Sequence, residues 1–447
     1  MTPHIKKNII TSLAAATLAL TVTGCTSYEI DMPANPDEPV VGNEVSTNVI
    51  YQANPRFFGE HECLKALTAQ LPRISDMGCD ILWIMPVYTT GELNSIGSPY
   101  CIRDFKSVNP RYGTMADLQE LVSQAHAKGI KVMLDWVANH TSWDHPWITE
   151  HPDRYDKDAD GNIVSPEGWP DVAQLDFGNT ATCEAMADAM TFWVEQAGID
   201  GFRCDYVEGV PQEFWSKTIE DLRVSHPELI MLAETGSPVY YADGFDMIYD
   251  WSCTAAISAA FNGGKTSEVV KEAEEALSKV PDGKSILRYA FNHDVAADND
   301  VDKLFGSPEA VPAAYVLASM LNGTPMIYSS MDVKGLSGKL SFFNYAPLDF
   351  SAELTEVYAK INNAFRNSAE VRRGELRDYS VSSVVCFTRS IPGHSLLVAV
   401  NTSGDTQTVR IPISLAGANM TDLIEGSTKA VPVTVELQPY SYTILMN

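Results

Sequence analysis

The stretch Gln196-Ala197-Gly198-Ile199-Asp200-Gly201-Phe202-Arg203-Cys204-Asp205 decides the architecture. Its first residues close a helical run over 182–197, and its last five form a short strand carrying an Arg and an Asp. Side chains two apart on a strand share a face, so Arg203 and Asp205 point one way and Phe202 and Cys204 the other. Alone, the pair fits two readings: an ion pair closing a strand, or a carboxylate held ionised by a guanidinium for nucleophilic attack.

The same helix-then-strand unit recurs on both sides of this stretch. A helical run over 63–77 leads to Ile81-Leu82-Trp83-Ile84-Met85-Pro86, and one over 115–128 leads through Gly129 to Lys131-Val132-Met133-Leu134-Asp135. A third, over 214–224, leads to Leu229-Ile230-Met231-Leu232-Ala233-Glu234. Asn48-Val49-Ile50-Tyr51-Gln52 precedes them; Phe245-Asp246-Met247-Ile248-Tyr249, Leu287-Arg288-Tyr289-Ala290-Phe291 and Pro325-Met326-Ile327-Tyr328 follow. Near-continuous apolar strands alternating with helices mean a buried parallel sheet, and eight such units predict an α/β fold of the TIM (β/α)8 barrel type over 47–368.

The alternation breaks twice. Between 141 and 179 the chain turns rich in Trp, Pro, Asp and Gly, too long for an ordinary loop, which predicts a short inserted domain after strand three. From 369 to 447 short alternating runs such as Ser383-Val384-Val385-Cys386-Phe387 predict a C-terminal all-β sandwich domain.

At the other end, Lys6-Lys7 precede an apolar run over 9–20, the pattern of a bacterial export signal over 1–25. Val22-Thr23-Gly24-Cys25 resembles a lipobox, in which the cysteine becomes the lipidated N-terminus; an ordinary cleaved signal is the alternative. Residues 26–46, with Pro33, Pro36 and Pro39, read as a flexible tether. The expectation is an exported lipoprotein of the cell envelope, in the outer membrane on its periplasmic or surface face. It would touch membrane only through a lipid on Cys25.

A formal charge of −27 argues against nucleic acid or an anionic membrane surface as partner and favours a neutral substrate. Apart from Cys25, the cysteines Cys63, Cys79, Cys101, Cys183, Cys204, Cys253 and Cys386 lack CxxC spacing, which argues against a zinc site or a disulfide framework. One bridge is compatible with them; most read as small buried hydrophobes.

In a parallel barrel, catalytic groups sit at the C-terminal ends of the strands. Those ends supply Asp135-Trp136-Val137-Ala138-Asn139-His140, then Arg203 with Asp205, then Glu234, then Asn292-His293-Asp294. Two carboxylates flanking a bond is the arrangement glycoside hydrolysis requires, and a third acid with two histidines suits binding of sugar hydroxyls. Each piece alone is weak; together, in order, they are hard to obtain by chance.

With these motifs the chain resembles the α-amylase family of glycoside hydrolases (family 13). Gly78-Cys79-Asp80-Ile81-Leu82-Trp83-Ile84-Met85-Pro86, Val108-Asn109-Pro110-Arg111-Tyr112-Gly113-Thr114 and Gly323-Thr324-Pro325-Met326-Ile327-Tyr328 also fit. The resemblance implies Asp205 as nucleophile, Glu234 as acid and base, and Asp294 as transition-state stabiliser. It implies Arg203 orienting Asp205, His140 and His293 binding the sugar at the cleaved bond, and Tyr100 stacking on that sugar with Asp104 as structural partner. Asp135 and Asn139 would fix the strand-three loop. The implied substrate is an α-glucan of the starch type, polymer or maltooligosaccharide, cleaved at α-1,4 bonds with retention. A transglycosylase, a hydrolase of α-1,6 links or disaccharides, and an inactive glycan-binding protein are the rivals.

Three departures from the family pattern stand out. Glu208-Gly209 replaces the Lys-His pair that contacts leaving-group sugars in many members. Gln174 replaces an aspartate that helps hold the family's structural calcium, and Ser329-Ser330-Met331 lacks the acidic residue usual there. No cofactor is required by this reading and no metal ligand is assigned, with Ca2+ left open. Asp156, Asp158, Asp160, Gly161 and Glu167 have the spacing of a calcium loop, but no flanking helices, so a hairpin turning at Asp160-Gly161-Asn162 is the competing reading. Trp143, Trp147 and Trp169 could stack on sugars or fill a small core. His126 reads as packing or surface, and Cys204 as core.

Overall fold

Eight parallel strands close into a barrel in chain order: β1 (Ile50–Ala53), β2 (Ile81–Ile84), β3 (Lys131–Trp136), β4 (Gly201–Cys204), β5 (Ile230–Ala233), β6 (Met247–Tyr249), β7 (Ser285–Arg288) and β8 (Thr324–Tyr328). This computed structural model describes residues 47–299, 301–334 and 338–447, all within the compact unit Ala34–Asn447. The export signal at 1–25, the lipid on Cys25 and the tether at 26–46 lie outside the described residues.

The two-residue pleat sorts the side chains. Ile81, Trp83, Met133, Leu232 and Leu287 fill the barrel interior, while Leu82, Ile84, Val132, Leu134, Phe202 and Cys204 pack outward against the helices. Cys204 is therefore core, and Arg203, its neighbour, faces inward. Gly201 is required where it stands, because a Cβ there would lie 2.2 Å from Ile230 O on the next strand.

The helices between strands form for local reasons. Helix α1 (Cys63–Asp76) buries Cys63, Leu64, Leu67, Leu71 and Ile74, spacings of three and four that make one apolar face. Helix α2 (Met115–His126) starts on a capping box, Thr114 with Asp117, and α3 (Thr180–Ala197) stops at Gly198, whose φ of 69° is left-handed. Among the seven cysteines of the described residues none is paired, and all but Cys183 are buried. No helix of the described residues is long and apolar enough to cross a membrane.

The structure differs from the sequence expectation in three places. Strand β7 ends at Arg288, so Asn292-His293-Asp294 opens a short helix, His293–Asp298, capped by the Asn292 side chain. An antiparallel pair, Tyr88–Thr90 with Ile102–Val108, interrupts the passage from β2 to α2. In the C-terminal region a six-stranded antiparallel sheet packs against only two strands, Gln407–Arg410 and Thr434–Leu437, so the second layer of the sandwich is small.

In the excursion after β3, His140–Ser142 pairs antiparallel with Val172–Gln174. Lys157 bridges Ile163 antiparallel, and Asp158 Oδ1 accepts the backbone N–H groups of Asp160 (3.0 Å) and Asn162 (2.8 Å). The acidic spacing there belongs to a hairpin whose turn uses up its own carboxylate.

Candidate active site

Register brings the charges together. Asp135 on β3 is paired in the sheet with Arg203 on β4, and both side chains are fully buried. Arg203 Nη1 donates to Asp135 Oδ1 and to Asp205 Oδ1, each at 2.8 Å, and its Nε donates to Tyr249 Oη at 3.0 Å. Its Nη2 lies 2.7 Å from Glu234 Oε1, within ion-pair reach but off the direction of its N–H bonds. One guanidinium thus touches three carboxylates, whereas the sequence suggested only its pairing with Asp205.

The other expected residues converge on the same cleft of about 390 Å³, lined by Tyr100, His140, Asp205, Glu234, His293 and Asp294 among others. His293 Nδ1 lies 2.8 Å from the side-chain amide of Gln52, which leaves the ring's other nitrogen, Nε2, facing the cleft side chains. That nitrogen is 2.9 Å from Tyr100 Oη and 3.3 Å from Asp294 Oδ1, and Tyr100 Oη donates onward to Asp135 Oδ2 at 3.1 Å. Tyr100 also stacks on His293, ring centroids 5.8 Å apart at 22°. Its polar partner is Asp135 rather than Asp104, whose Oδ1 accepts the Lys106 N–H.

Burial decides the protonation pattern. It pushes Glu234 up to about 8 against the pull of Arg203, with Asp205 and Asp294 adding to the rise. Asp205 is raised to about 6 by burial, opposed first by Arg203. Burial lowers both His140 and His293 to about 4, so both imidazoles are neutral near pH 7. Near neutrality the cleft therefore pairs an ionised Asp205 with a protonated Glu234.

Several residues in and beneath the cleft escaped the sequence reading. Tyr249 ends β6, so the rule that found the other strand ends would have found it. Tyr206, directly after Asp205, holds a left-handed backbone (φ 39°, ψ 54°), and its N–H donates to Glu234 Oε2 at 2.7 Å. Trp251 and Tyr206 expose their rings along the cleft, as does Trp169, for which the sequence left stacking and packing open; Trp169 stands edge-on to Tyr206 at 5.0 Å. The other excursion tryptophans pack instead: Trp143 Nε1 donates to Pro170 O, and Trp147 lies against His145 and beneath Arg154. His126 meets the Asp200 carboxylate at the surface.

The residues expected around a structural calcium do not fit one. Gln174 Nε2 donates to Asn139 O (3.1 Å), Asn139 Oδ1 (3.0 Å) and Leu175 O (3.2 Å), so an amide N–H stands among the oxygens a cation would need. Among the described residues no group of three or more His, Cys, Asp or Glu could hold a metal ion.

Comparison with known proteins agrees with this geometry. Residues 51–164 match the family model for the α-amylase catalytic domain. The chain is 29% identical over 402 residues to the α-amylase MalA of Haloarcula japonica, covering 85% of this chain and 58% of that protein. It is 32% identical over 198 residues to an α-1,4-glucan:maltose-1-phosphate maltosyltransferase of Cereibacter sphaeroides, covering 39% of this chain and 33% of the relative. The chain thus spans little more than half of the first relative's length and a third of the second's. Among solved structures, an α-amylase from Lactobacillus plantarum superposes with a TM-score of 0.80 at 27% identity, covering 90% of this chain and 99% of that one. In fold and in sequence the chain is thus similar to the α-amylase family of glycoside hydrolases, whose catalytic-domain model its residues 51–164 match.

Proposed function

We propose that the protein hydrolyses α-glucosidic bonds, α-1,4 bonds of starch-type glucans or maltooligosaccharides, with retention of configuration. The observation that carries this is the shared guanidinium: Arg203 lies within 2.8 Å of Asp205 and 2.7 Å of Glu234. One side chain spanning both acids favours the short carboxyl separation of retaining enzymes, about 5–5.5 Å, over the wider gap that admits a water.

Asp205, ionised and oriented by Arg203, attacks the anomeric carbon while Glu234 gives its proton to the departing glycosidic oxygen. The β-glycosyl ester on Asp205 is then cleaved by water, whose proton returns to Glu234. Asp294 and the neutral His140 and His293 hydrogen-bond the ring hydroxyls, and Tyr100 offers its face to the sugar. With Arg203 beneath and Tyr206 N–H on Glu234, the charges that develop meet groups already in place.

The test is a substrate panel of starch, pullulan, maltotriose, isomaltose and sucrose, scored by products. Release of maltooligosaccharides from starch supports the reading; turnover of only isomaltose or sucrose moves it to another α-glucoside. The maltosyltransferase likeness raises transfer from a phosphorylated donor as a second reading. Among the described residues no Lys or Arg lines the cleft, which supports a neutral substrate instead. The export signal and Cys25 lipid would place this activity in the cell envelope.

A further inference from the structure

Beside the proton donor the cleft presents Glu208, Tyr206 and Trp251. Glu208 is exposed yet anchored: its Oε1 accepts the hydroxyl proton of Thr235, a fully buried residue whose oxygen also takes the Ser237 N–H at 3.0 Å. Thr235 directly follows Glu234, and the Tyr206 N–H donates to Glu234 Oε2. These bonds fix the Glu208 carboxylate on the side of the proton donor, where a leaving group departs and an acceptor arrives. Gly209 cannot restore a larger contact there, since a Cβ would lie 2.4 Å from Asn139 Oδ1.

Asp171, Asp205, Glu208, Glu234 and Asp294 all line this cleft, without a lining Lys or Arg among the described residues. Arg203 offsets Asp205 and Glu234, but Glu208 is bonded to the neutral Thr235 hydroxyl, so an anionic sugar at this wall meets like charge, whereas sugar hydroxyls can donate to the carboxylate and an ammonium group gains an ion pair. Exposed rings of Tyr206 and Trp251 offer apolar faces for a pyranose at the same wall.

We propose that Glu208 sets the charge preference of the leaving-group and acceptor subsite, selecting neutral and cationic sugars and rejecting phosphorylated ones. This rests on the retaining reading of the cleft. In transfer, the acceptor hydroxyl oxygen bonds to the anomeric carbon as the bond to Asp205 breaks, and its proton passes to Glu234. Glu208 takes no part in bond exchange; it decides which acceptor stays long enough to react.

Maltosyl fluoride tests this, because fluoride departs and leaves the acceptor subsite empty. Wild type, Glu208→Gln and Glu208→Lys are compared with glucose, protonated glucosamine and glucose 6-phosphate as acceptors, and transfer products are quantified. The ratio of transfer to glucose 6-phosphate over glucose should rise roughly tenfold from wild type to Glu208→Lys, the scale of a single reversed charge near a ligand. Glu208→Gln should fall between, and the glucosamine-to-glucose ratio should drop in the same order. Equal ratios in all three proteins would overturn the proposal. No fluoride release by wild type would overturn the glycosidase reading, and the proposal with it.

Discussion

Asp135 and Arg203 form a fully buried ion pair at 2.8 Å beneath the barrel mouth, paired in register on β3 and β4. Two further carboxylates draw on the same guanidinium, so Asp135 determines how much of its charge reaches Asp205 and Glu234. Replacing Asp135 by Asn leaves Arg203 more fully committed to Asp205, whose ionisation Asp135 opposes. The acid limb of the pH–rate profile should move to lower pH. Asp135→Ala, which empties a buried charged site, should cost about 3–5 kcal/mol of stability by denaturant unfolding.

Activity itself should be bell-shaped in pH. Asp205 must be ionised, so the rate rises through its value of about 6; Glu234 must be protonated, so the rate falls through its value of about 8. The limbs belong to the interacting pair as macroscopic values. A kcat/KM profile flat from pH 5 to pH 9 would contradict this assignment.

Glu234→Gln should lower kcat by about 10²–10⁴-fold, the usual contribution of a general acid, while Asp205→Asn should do at least as much. Stability should move the other way. Native Glu234 keeps its proton up to about 8, against an ordinary value of 4.5, so the unfolded chain ionises first and the native state loses stability across that interval. Gln carries no such penalty. The variant should therefore melt above wild type at pH 8, and the gap should close as the pH falls below 4.5.

Gln174 makes a fourth prediction. With its amide donating to two oxygens of Asn139 and to Leu175 O, chelation should leave the melting temperature of wild type unchanged. Gln174→Asp removes that donor and adds a charge among the same oxygens. It should melt lower than wild type in EDTA and recover with millimolar Ca2+. A wild type destabilised by EDTA and restored by Ca2+ would show that the amide is not the native occupant.

The sequence revealed most of the barrel because buried parallel strands are written as apolar runs such as Ile81-Leu82-Trp83-Ile84, separated by helices with their own caps. The reacting residues were visible for the same reason: Arg203, Asp205 and Glu234 sit where β4 and β5 end. Asp294 showed as part of a motif, but its place in a helix start rather than a strand tip depends on where β7 stops pairing. The reach of Arg203 to three carboxylates was hidden, since it comes from register between strands far apart in the chain. Trp169, far along the chain from the His140 and Tyr206 rings it meets, could not be told from Trp143 and Trp147 until packing placed their rings. Tyr206 and Glu208 were visible as residues after the nucleophile, but not as a wall, because their positions depend on a strained turn and on Thr235.

The most direct test of a retaining α-glucan hydrolase is the anomer released at the earliest times from a maltooligosaccharide, followed by proton NMR before mutarotation. The account predicts the α-anomer first, with the β-anomer growing only at the rate of mutarotation. Initial release of the β-anomer would contradict the covalent Asp205 intermediate.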